Sequence, residues 1–242
     1  MSLLDWVFEK ECSVCKQPGE FLCPDCYVKI ERVERFVCPE CMRINTNGGY
    51  CHLCSERHEL SGILEACKWE EPLRSVVHEF KYTRHKFLSK DLSRLLSERV
   101  DKTRYIGFDL VTFVPLHPLR RFWRGFNQAE LLAKQISLHL GLPLIRTLKR
   151  KKFTKPQVKL SGTERRKALK EKFGLIDLAK IKGKRILLID DISTTGSTLE
   201  ECAKVLRPKS PENSENFENS CKSKKPKNIG AESVWGLVLA RG

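Results

Sequence analysis

Residues 186–198 read I-L-L-I-D-D-I-S-T-T-G-S-T. Four apolar residues end at two adjacent carboxylates, Asp190 and Asp191, and the hydroxyls of Thr194, Thr195, Ser197 and Thr198 then surround Gly196. From Leu199 the apolar positions recur at Cys202, Ala203 and Leu206, a helical spacing. The segment therefore predicts a buried strand, a polar loop and a helix N-terminus. The first N–H groups of a helix lack partners and its dipole favours anions, so such a loop suits phosphate. The hydroxyls add donors, and Gly196 lets the backbone come close to a ligand. The aspartates would repel phosphate; they suit ribose hydroxyls, a divalent metal, or both. A sugar phosphate satisfies both halves. An ordinary capped strand-turn-helix shares the cap residues but gives no reason for the paired acids. The chain contains no G-x-x-x-x-G-K-[ST] and no G-x-G-x-x-G.

A second cluster lies at residues 114–130, V-P-L-H-P-L-R-R-F-W-R-G-F-N-Q-A-E. A strand ends, a proline-rich turn follows, and Arg120, Arg121 and Arg124 precede Gly125. Planar guanidinium groups grip a diphosphate with several donors at once. Gly125 would free backbone N–H groups for the same anion, and Asn127 is a candidate N-cap for the helix that follows. Phe122, Trp123 and Phe126 are expected as core or loop anchors rather than as stacking rings.

Eight of eleven cysteines fall into four C-x2-C pairs: Cys12/Cys15, Cys23/Cys26, Cys38/Cys41 and Cys51/Cys54. Two such knuckles make a tetrahedral site of four sulfurs, which suits zinc. Four pairs make two sites, closed and therefore structural, that help fold the region. Sequential pairing closes the smaller loops; a cross-braced arrangement, first pair with third, is the alternative. His52 and His58 are not expected to bind metal. Of the unpaired Cys67, Cys202 and Cys221, Cys202 is expected in the core.

The formal charge is +15, from 45 basic and 30 acidic residues. Residues 149–184 alone hold 14 Lys and Arg against 3 Asp and Glu. That stretch is either a solvated face or an attractor of polyanions: pyrophosphate, nucleic acid or an acidic membrane surface. No signal peptide and no run of about 20 apolar residues is visible, so no membrane insertion and a cytoplasmic location are expected. Reduced thiols there favour metal over disulfides.

The elements that position these residues follow from periodicity. A strand is expected within 59–70, and a helix from Pro72 to about Lys81. Helices are expected at 88–100 and 127–140, strands at 109–114, 185–189 and 234–240, and a short strand at 144–148. Alternating strands and helices imply an α/β fold: a mostly parallel sheet with helices on both faces. In such sheets ligands sit beyond the strand C-termini. Residues 1–57 read as a small zinc-binding domain and 58–242 as the α/β domain. Residues 207–229 are polar and poor in large apolar residues, the composition of a disordered insertion.

The D-D-I-S-T-T-G-S-T segment resembles the phosphoribosyl-pyrophosphate motif of type I phosphoribosyltransferases. Ser193 is a departure, where many members carry an aliphatic residue or tyrosine. With the C-x2-C pairs, Phe80-Lys81-Tyr82, Val114–Pro118, Arg124–Gln128, Pro156-Gln157 and Leu239-Ala240-Arg241, the chain resembles the ComF family (ComFC or GntX-like proteins), linked to competence and DNA uptake. The resemblance implies a double zinc ribbon followed by a type I phosphoribosyltransferase-like domain. It implies that Asp190 and Asp191 hold the ribose hydroxyls, that Thr194–Thr198 hold the 5′-phosphate, and that Mg²⁺ takes part. Lys81 and Arg124 are expected near the diphosphate. By resemblance, residues 154–173 form a closing loop with contacts from Gln157, Arg165 and Arg166; Ala168 departs from an asparagine frequent in the family.

The expected function is phosphoribosyl transfer from phosphoribosyl pyrophosphate to an acceptor that no residue pattern identifies. A different class of reading keeps the scaffold without the reaction, as a sugar-phosphate sensor or a handler of single-stranded DNA. Docking of the ribbons onto DNA-uptake proteins is compatible with either.

Overall fold

The computed structural model describes residues 10–82, 86–103, 106–151, 172–209 and 228–242. The N-terminal region repeats one design twice. In each half a tight turn carries the first cysteine pair, and a one-turn helix carries the second: α1 (Pro24–Val28) and α2 (His52–Ser55), capped by Cys23 and Cys51. Lys16 and Met42 close the two turns at φ 62° and 60°, a left-handed conformation uncommon outside glycine. In the second half, β1 (Phe36–Val37) pairs antiparallel with β2 (Ile44–Asn45) on either side of the Cys38/Cys41 turn.

The remainder is built on four parallel strands: β3 (Gly62–Glu65), β4 (Leu110–Phe113), β7 (Arg185–Ile189) and β9 (Ser233–Val238), in the order β3-β9-β7-β4. β5 (Leu148–Arg150) and β6 (Phe173–Leu175) form an antiparallel pair outside this sheet, and β8 (Ile192–Ser193) pairs with β10 (Ala240–Arg241). Parallel strands covered on both faces read as continuous apolar runs, and β7 shows the result. Leu187 and Ile189 enter a core with α3 (Leu73–Tyr82), α4 (Leu88–Asp101) and α6 (Gln128–Leu140). Ile186 and Leu188 enter a second core with Leu199, Cys202, Ala203 and Leu206 of α7 (Ser197–Leu206). A short helix, α5 (Pro118–Arg124), precedes α6. Helices thus cover both faces, as the element order implies, and Cys202 is fully buried.

The first cysteine ribbon merges with the main core: Leu22, Tyr27 and Ile30 pack in the same cluster as Leu64, Leu92 and Leu96. The Tyr27 hydroxyl donates to Glu98 at 2.7 Å, and the buried Arg99 donates to the carbonyls of Val33 and Arg35 at 2.8 and 3.0 Å. Arg99 also lies over the Phe36 ring, 3.8 Å from its centre. Burial lowers this guanidinium to about 10; carbonyl acceptors and an aromatic face compensate a charge taken from water.

Several boundaries differ from the sequence expectation. The strand expected within 59–70 occupies only Gly62–Glu65, and α3 begins after Pro72, at Leu73. The strand expected at 144–148 is displaced: Leu144 makes a single bridge to Val111, and the strand is Leu148–Arg150. The last strand breaks at Leu239, whose N–H bonds the Asp191 carbonyl at 2.9 Å. Most of 207–229 lies outside the described residues; its ends meet in a bridge between Lys209 and Asn228. Among the described residues, no helix is long and apolar enough to cross a membrane.

Candidate functional site

β7 ends at Ile189, and the chain delivers Asp190 and Asp191 beyond the sheet's C-terminal edge. The Asp190 N–H bonds Leu237 at 3.1 Å and the Val114 N–H bonds Ile189 at 3.0 Å, so the two sequence clusters emerge side by side. Asn127 fixes the second cluster. Its Oδ1 accepts from the Ala129 N–H at 3.2 Å, capping α6, while its Nδ2 donates to the Val114 carbonyl at 3.0 Å. One buried side chain thereby ties the start of α6 to the end of the β4 segment.

Between the clusters lies a cavity of about 180 Å³. Its lining includes Lys81, Arg120, Arg124, Asp190, Asp191 and Thr198. Each aspartate uses one oxygen to hold the turn: Asp190 Oδ1 accepts from the Asp191 N–H at 2.9 Å, and Asp191 Oδ1 from the Ile192 N–H at 2.7 Å. Asp191 Oδ2 pairs with Lys81 Nζ at 3.2 Å. Burial, then the Asp191 carboxylate beside it, push the Asp190 carboxyl well above the usual carboxylate range. The cavity thus sets two adjacent acids beside Lys81 and the guanidinium groups of Arg120 and Arg124, an arrangement that suits a ligand carrying both hydroxyl groups and anionic charge.

The loop of residues 194–198 leads directly into α7. Gly196 sits at φ 75° and caps α7, and the first turn of the helix follows at Ser197. A Cβ on Gly196 would stand 3.3 Å from Ile63 Cδ1 in addition to the strained φ. Thr194, Thr195 and Ser197 face solvent at the loop, and Thr195 Oγ1 both donates to Ser197 Oγ at 3.0 Å and accepts the Ser197 N–H at 3.4 Å.

Arg124 partly meets its expectation and Gly125 does not. Arg124 lines the cavity, donates to Gln128 Oε1 at 3.3 Å, and lies over the Tyr82 ring. Gly125 has φ 79°, and its N–H bonds the Arg121 carbonyl at 2.8 Å. It serves as the left-handed cap that ends α5, so that N–H is not offered to an anion. Phe126 is buried against Phe80, but Phe122 and Trp123 are exposed, contrary to their expected role as anchors. Gln157, Arg165, Arg166 and Ala168 lie outside the described residues.

Three site residues escaped the sequence reading. Arg150, from β5, lines the cavity, and burial followed by the nearby Arg120 charge holds its guanidinium below the usual value. Gln128, 2% exposed, also lines it. Glu200, in the first turn of α7, accepts the Glu59 and Leu60 N–H groups at 2.9 and 3.3 Å and meets His58 Nδ1 at 3.3 Å; His58 Nε2 lies 3.2 Å from Glu40. The first turn of α7 is thereby linked to the second cysteine ribbon. Arg150 was hidden in a basic run, and nothing in spacing marks Glu200.

The cysteines group sequentially, not cross-braced: Cys12, Cys15, Cys23 and Cys26 in one cluster, Cys38, Cys41, Cys51 and Cys54 in the other, all sulfurs of a cluster within 4.8 Å. The Cys15–Cys23 and Cys41–Cys51 sulfur pairs are both 3.7 Å apart. A tetrahedron with Zn–S bonds of about 2.3 Å has edges of about 3.8 Å, so both clusters fit zinc. Within each cluster the thiols shift in opposite directions: backbone N–H groups outweigh burial and lower Cys12 and Cys38 to about 6, whereas burial raises Cys26 and Cys54. His52 and His58 belong to neither cluster.

The parallel sheet, the acid pair at its C-terminal edge and the glycine-capped helix together define a phosphoribosyltransferase-like domain, and the family model described as "Phosphoribosyl transferase domain" matches residues 124–216. Competence protein F of Haemophilus influenzae is 31% identical, over 91% of this chain and 97% of that protein. DNA utilization protein YhgH of Escherichia coli is 30% identical over 81% of this chain and 89% of its own length, and competence protein ComFC of Streptococcus pneumoniae 30% over 76% and 80%. The chain belongs to the ComF family of competence proteins.

Proposed function

We propose that the protein binds phosphoribosyl pyrophosphate with Mg²⁺ and transfers its phosphoribosyl group to an acceptor. The observation that carries this reading is one cavity lined by the Asp190–Asp191 pair, three arginines and Lys81, next to the Gly196-capped helix. Asp190 and Asp191 accept hydrogen bonds from the ribose hydroxyls. The Thr194–Thr198 loop and the N-terminus of α7 receive the 5′-phosphate. Arg124, Arg120 and Lys81 face the diphosphate, whose negative charge grows as the bond to the anomeric carbon breaks. Lys81 exchanges Asp191 for that diphosphate when the ligand arrives. Mg²⁺, held by the acid pair together with ligand oxygens, would neutralise further charge on the leaving group. Residues 154–173, with Gln157, Arg165 and Arg166, are assigned to closing the site against water.

Two zinc ions, one in each of the sequential four-cysteine clusters, complete the fold. Thiolate clusters suit a reducing compartment, and we place the protein in the cytoplasm. The relatives carry the names of competence and DNA-utilization proteins, and we assign the reaction to DNA uptake.

Calorimetric titration with phosphoribosyl pyrophosphate, with and without Mg²⁺, tests the donor site. Mg²⁺-dependent binding that disappears in the Asp190→Asn, Asp191→Asn double variant is expected; binding indifferent to those substitutions would refute the assignment. Pyrophosphate release on adding candidate acceptors separates a transferase from a sensor.

A further inference from the structure

Residues 38–41 read C-P-E-C, and two adjacent members of this knuckle bond outside it. The Pro39 carbonyl accepts from Arg241 Nη2 at 2.9 Å. Glu40 Oε2 lies 3.2 Å from His58 Nε2, and His58 Nδ1 lies 3.3 Å from Glu200 Oε2. Arg57 holds the other Glu40 oxygen at 3.1 Å, and the Tyr50 ring stacks on His58 with ring centres 3.9 Å apart. The imidazole is thus fixed at both nitrogens and on one face.

These two bonds reach opposite ends of one loop. Arg241 lies in β10, which pairs with β8 just before Thr194, and the Gly242 N–H bonds the Ser193 carbonyl at 3.0 Å. Glu200 lies in the first turn of α7, and its N–H bonds the Gly196 carbonyl at 2.9 Å. Residues 194–196 therefore span two points that a single cysteine knuckle holds. The Glu200 carboxylate would repel a phosphate at this helix start, but its oxygens are turned to the Glu59 and Leu60 N–H groups and to His58. The first cluster is braced elsewhere, by Tyr27 on Glu98 of α4 and by Lys16, 3.8 Å from Glu79 of α3.

A knuckle of two thiols alone has several arrangements, and coordination through Cys38 and Cys41 selects one. A loop whose ends are fixed in advance loses less freedom when a ligand settles in it. We infer that Arg241 and Glu200 are positioning residues through which the Cys38–Cys41 knuckle sets the loop 194–196, so that zinc in the second cluster and a sugar phosphate in the loop strengthen one another. The sugar phosphate in this inference rests on the function proposed above. By linkage, the factor is the same in both directions.

The test uses the full-length protein and a competing chelator that buffers zinc at equilibrium. Saturating phosphoribosyl pyrophosphate with Mg²⁺ is expected to raise the affinity for one zinc ion about tenfold, an effect that persists in Cys12→Ser and is absent in Cys38→Ser. The Arg241→Met, Glu200→Gln double variant keeps every cysteine and retains both zinc ions. In it the zinc affinities no longer respond to the ligand, and the Kd for phosphoribosyl pyrophosphate rises about tenfold. Zinc affinities indifferent to saturating ligand, or a response that survives the double variant, overturn the inference. Without ligand, the amides of residues 200–202 and of Gly242 exchange hydrogen faster in the double variant than in the parent. If phosphoribosyl pyrophosphate itself fails to bind, the proposed function falls, while that faster exchange supports the clamp on the loop; exchange equal to the parent's overturns it.

Discussion

Lys81 Nζ lies 3.2 Å from Asp191 Oδ2, both largely withdrawn from solvent, so the last turn of α3 and the end of β7 meet over the candidate cavity. The lysine balances one carboxylate of a pair and leaves the other to its surroundings. Burial and Asp191 then favour the proton on Asp190. A ligand that brings hydroxyl groups to the acids and a diphosphate to the lysine improves both contacts at once, which makes the ion pair a resting arrangement.

Replacing Lys81 by Met should therefore weaken phosphoribosyl pyrophosphate binding by about tenfold or more, the size expected for losing a hydrogen bond to a charged group. Isothermal titration checks it. An unchanged Kd would assign Lys81 to shielding Asp191 alone.

Asp190→Asn should stabilise the ligand-free protein while impairing ligand binding. An acid whose folded pKa is raised binds its proton more tightly folded than unfolded, so its ionisation destabilises the fold. The penalty is absent below the unfolded carboxylate value of about 4 and complete above the raised folded value. Thermal melts should show the variant a few degrees above the parent at neutral pH, at roughly 2–4 °C per kcal/mol for a chain of this size, with the difference vanishing toward pH of about 4.

Two zinc ions per chain are expected by elemental analysis, one for each cysteine cluster. Cys12→Ser and Cys38→Ser should each reduce the content to one. Cys12→Ser should lower the melting temperature of the whole chain, because Cys12 and Cys26 belong to the same core cluster as Leu64 and Leu92. Melting of the α/β region unaffected by Cys12→Ser would show the ribbon to be energetically separate.

His58→Ala removes the link between Glu40 and Glu200 and should destabilise the protein by about 1 kcal/mol. Hydrogen exchange should accelerate at the Leu60 amide and in the first turn of α7. Exchange confined to the second ribbon would show that His58 does not brace α7.

Gly196→Ala places a side chain at φ 75° with a contact to Ile63, and the left-handed conformation alone costs about 1–2 kcal/mol. Ligand affinity should fall with stability, because the strain lies in the loop to which we assign the 5′-phosphate. A melting temperature equal to the parent's would contradict the observed backbone.

Local chemistry was legible wherever it depends on neighbours in the chain. The four C-x2-C turns, the acid pair after an apolar run, Gly196 before α7 and the Asn127 cap each rest on bonds within a few residues, and period and residue type report such bonds directly. The parallel sheet with helices on both faces was legible for a related reason, since alternating elements leave few ways to bury their apolar sides.

Tertiary structure alone decided what depends on distant partners. The meeting of Lys81 with Asp191, Arg150 in the cavity wall and Glu200 reaching His58 join residues that spacing leaves unrelated; sequential pairing of the cysteines, favoured by loop length, was settled against the cross-braced alternative only by the fold. Burial worked the same way. Phe122, Trp123 and Phe126 look alike in the sequence, yet Phe126 is buried against Phe80 while the other two remain exposed. Periodicity gives the face on which a side chain lies; whether that face meets protein or water depends on the neighbouring elements, so it is known only once the chain has folded.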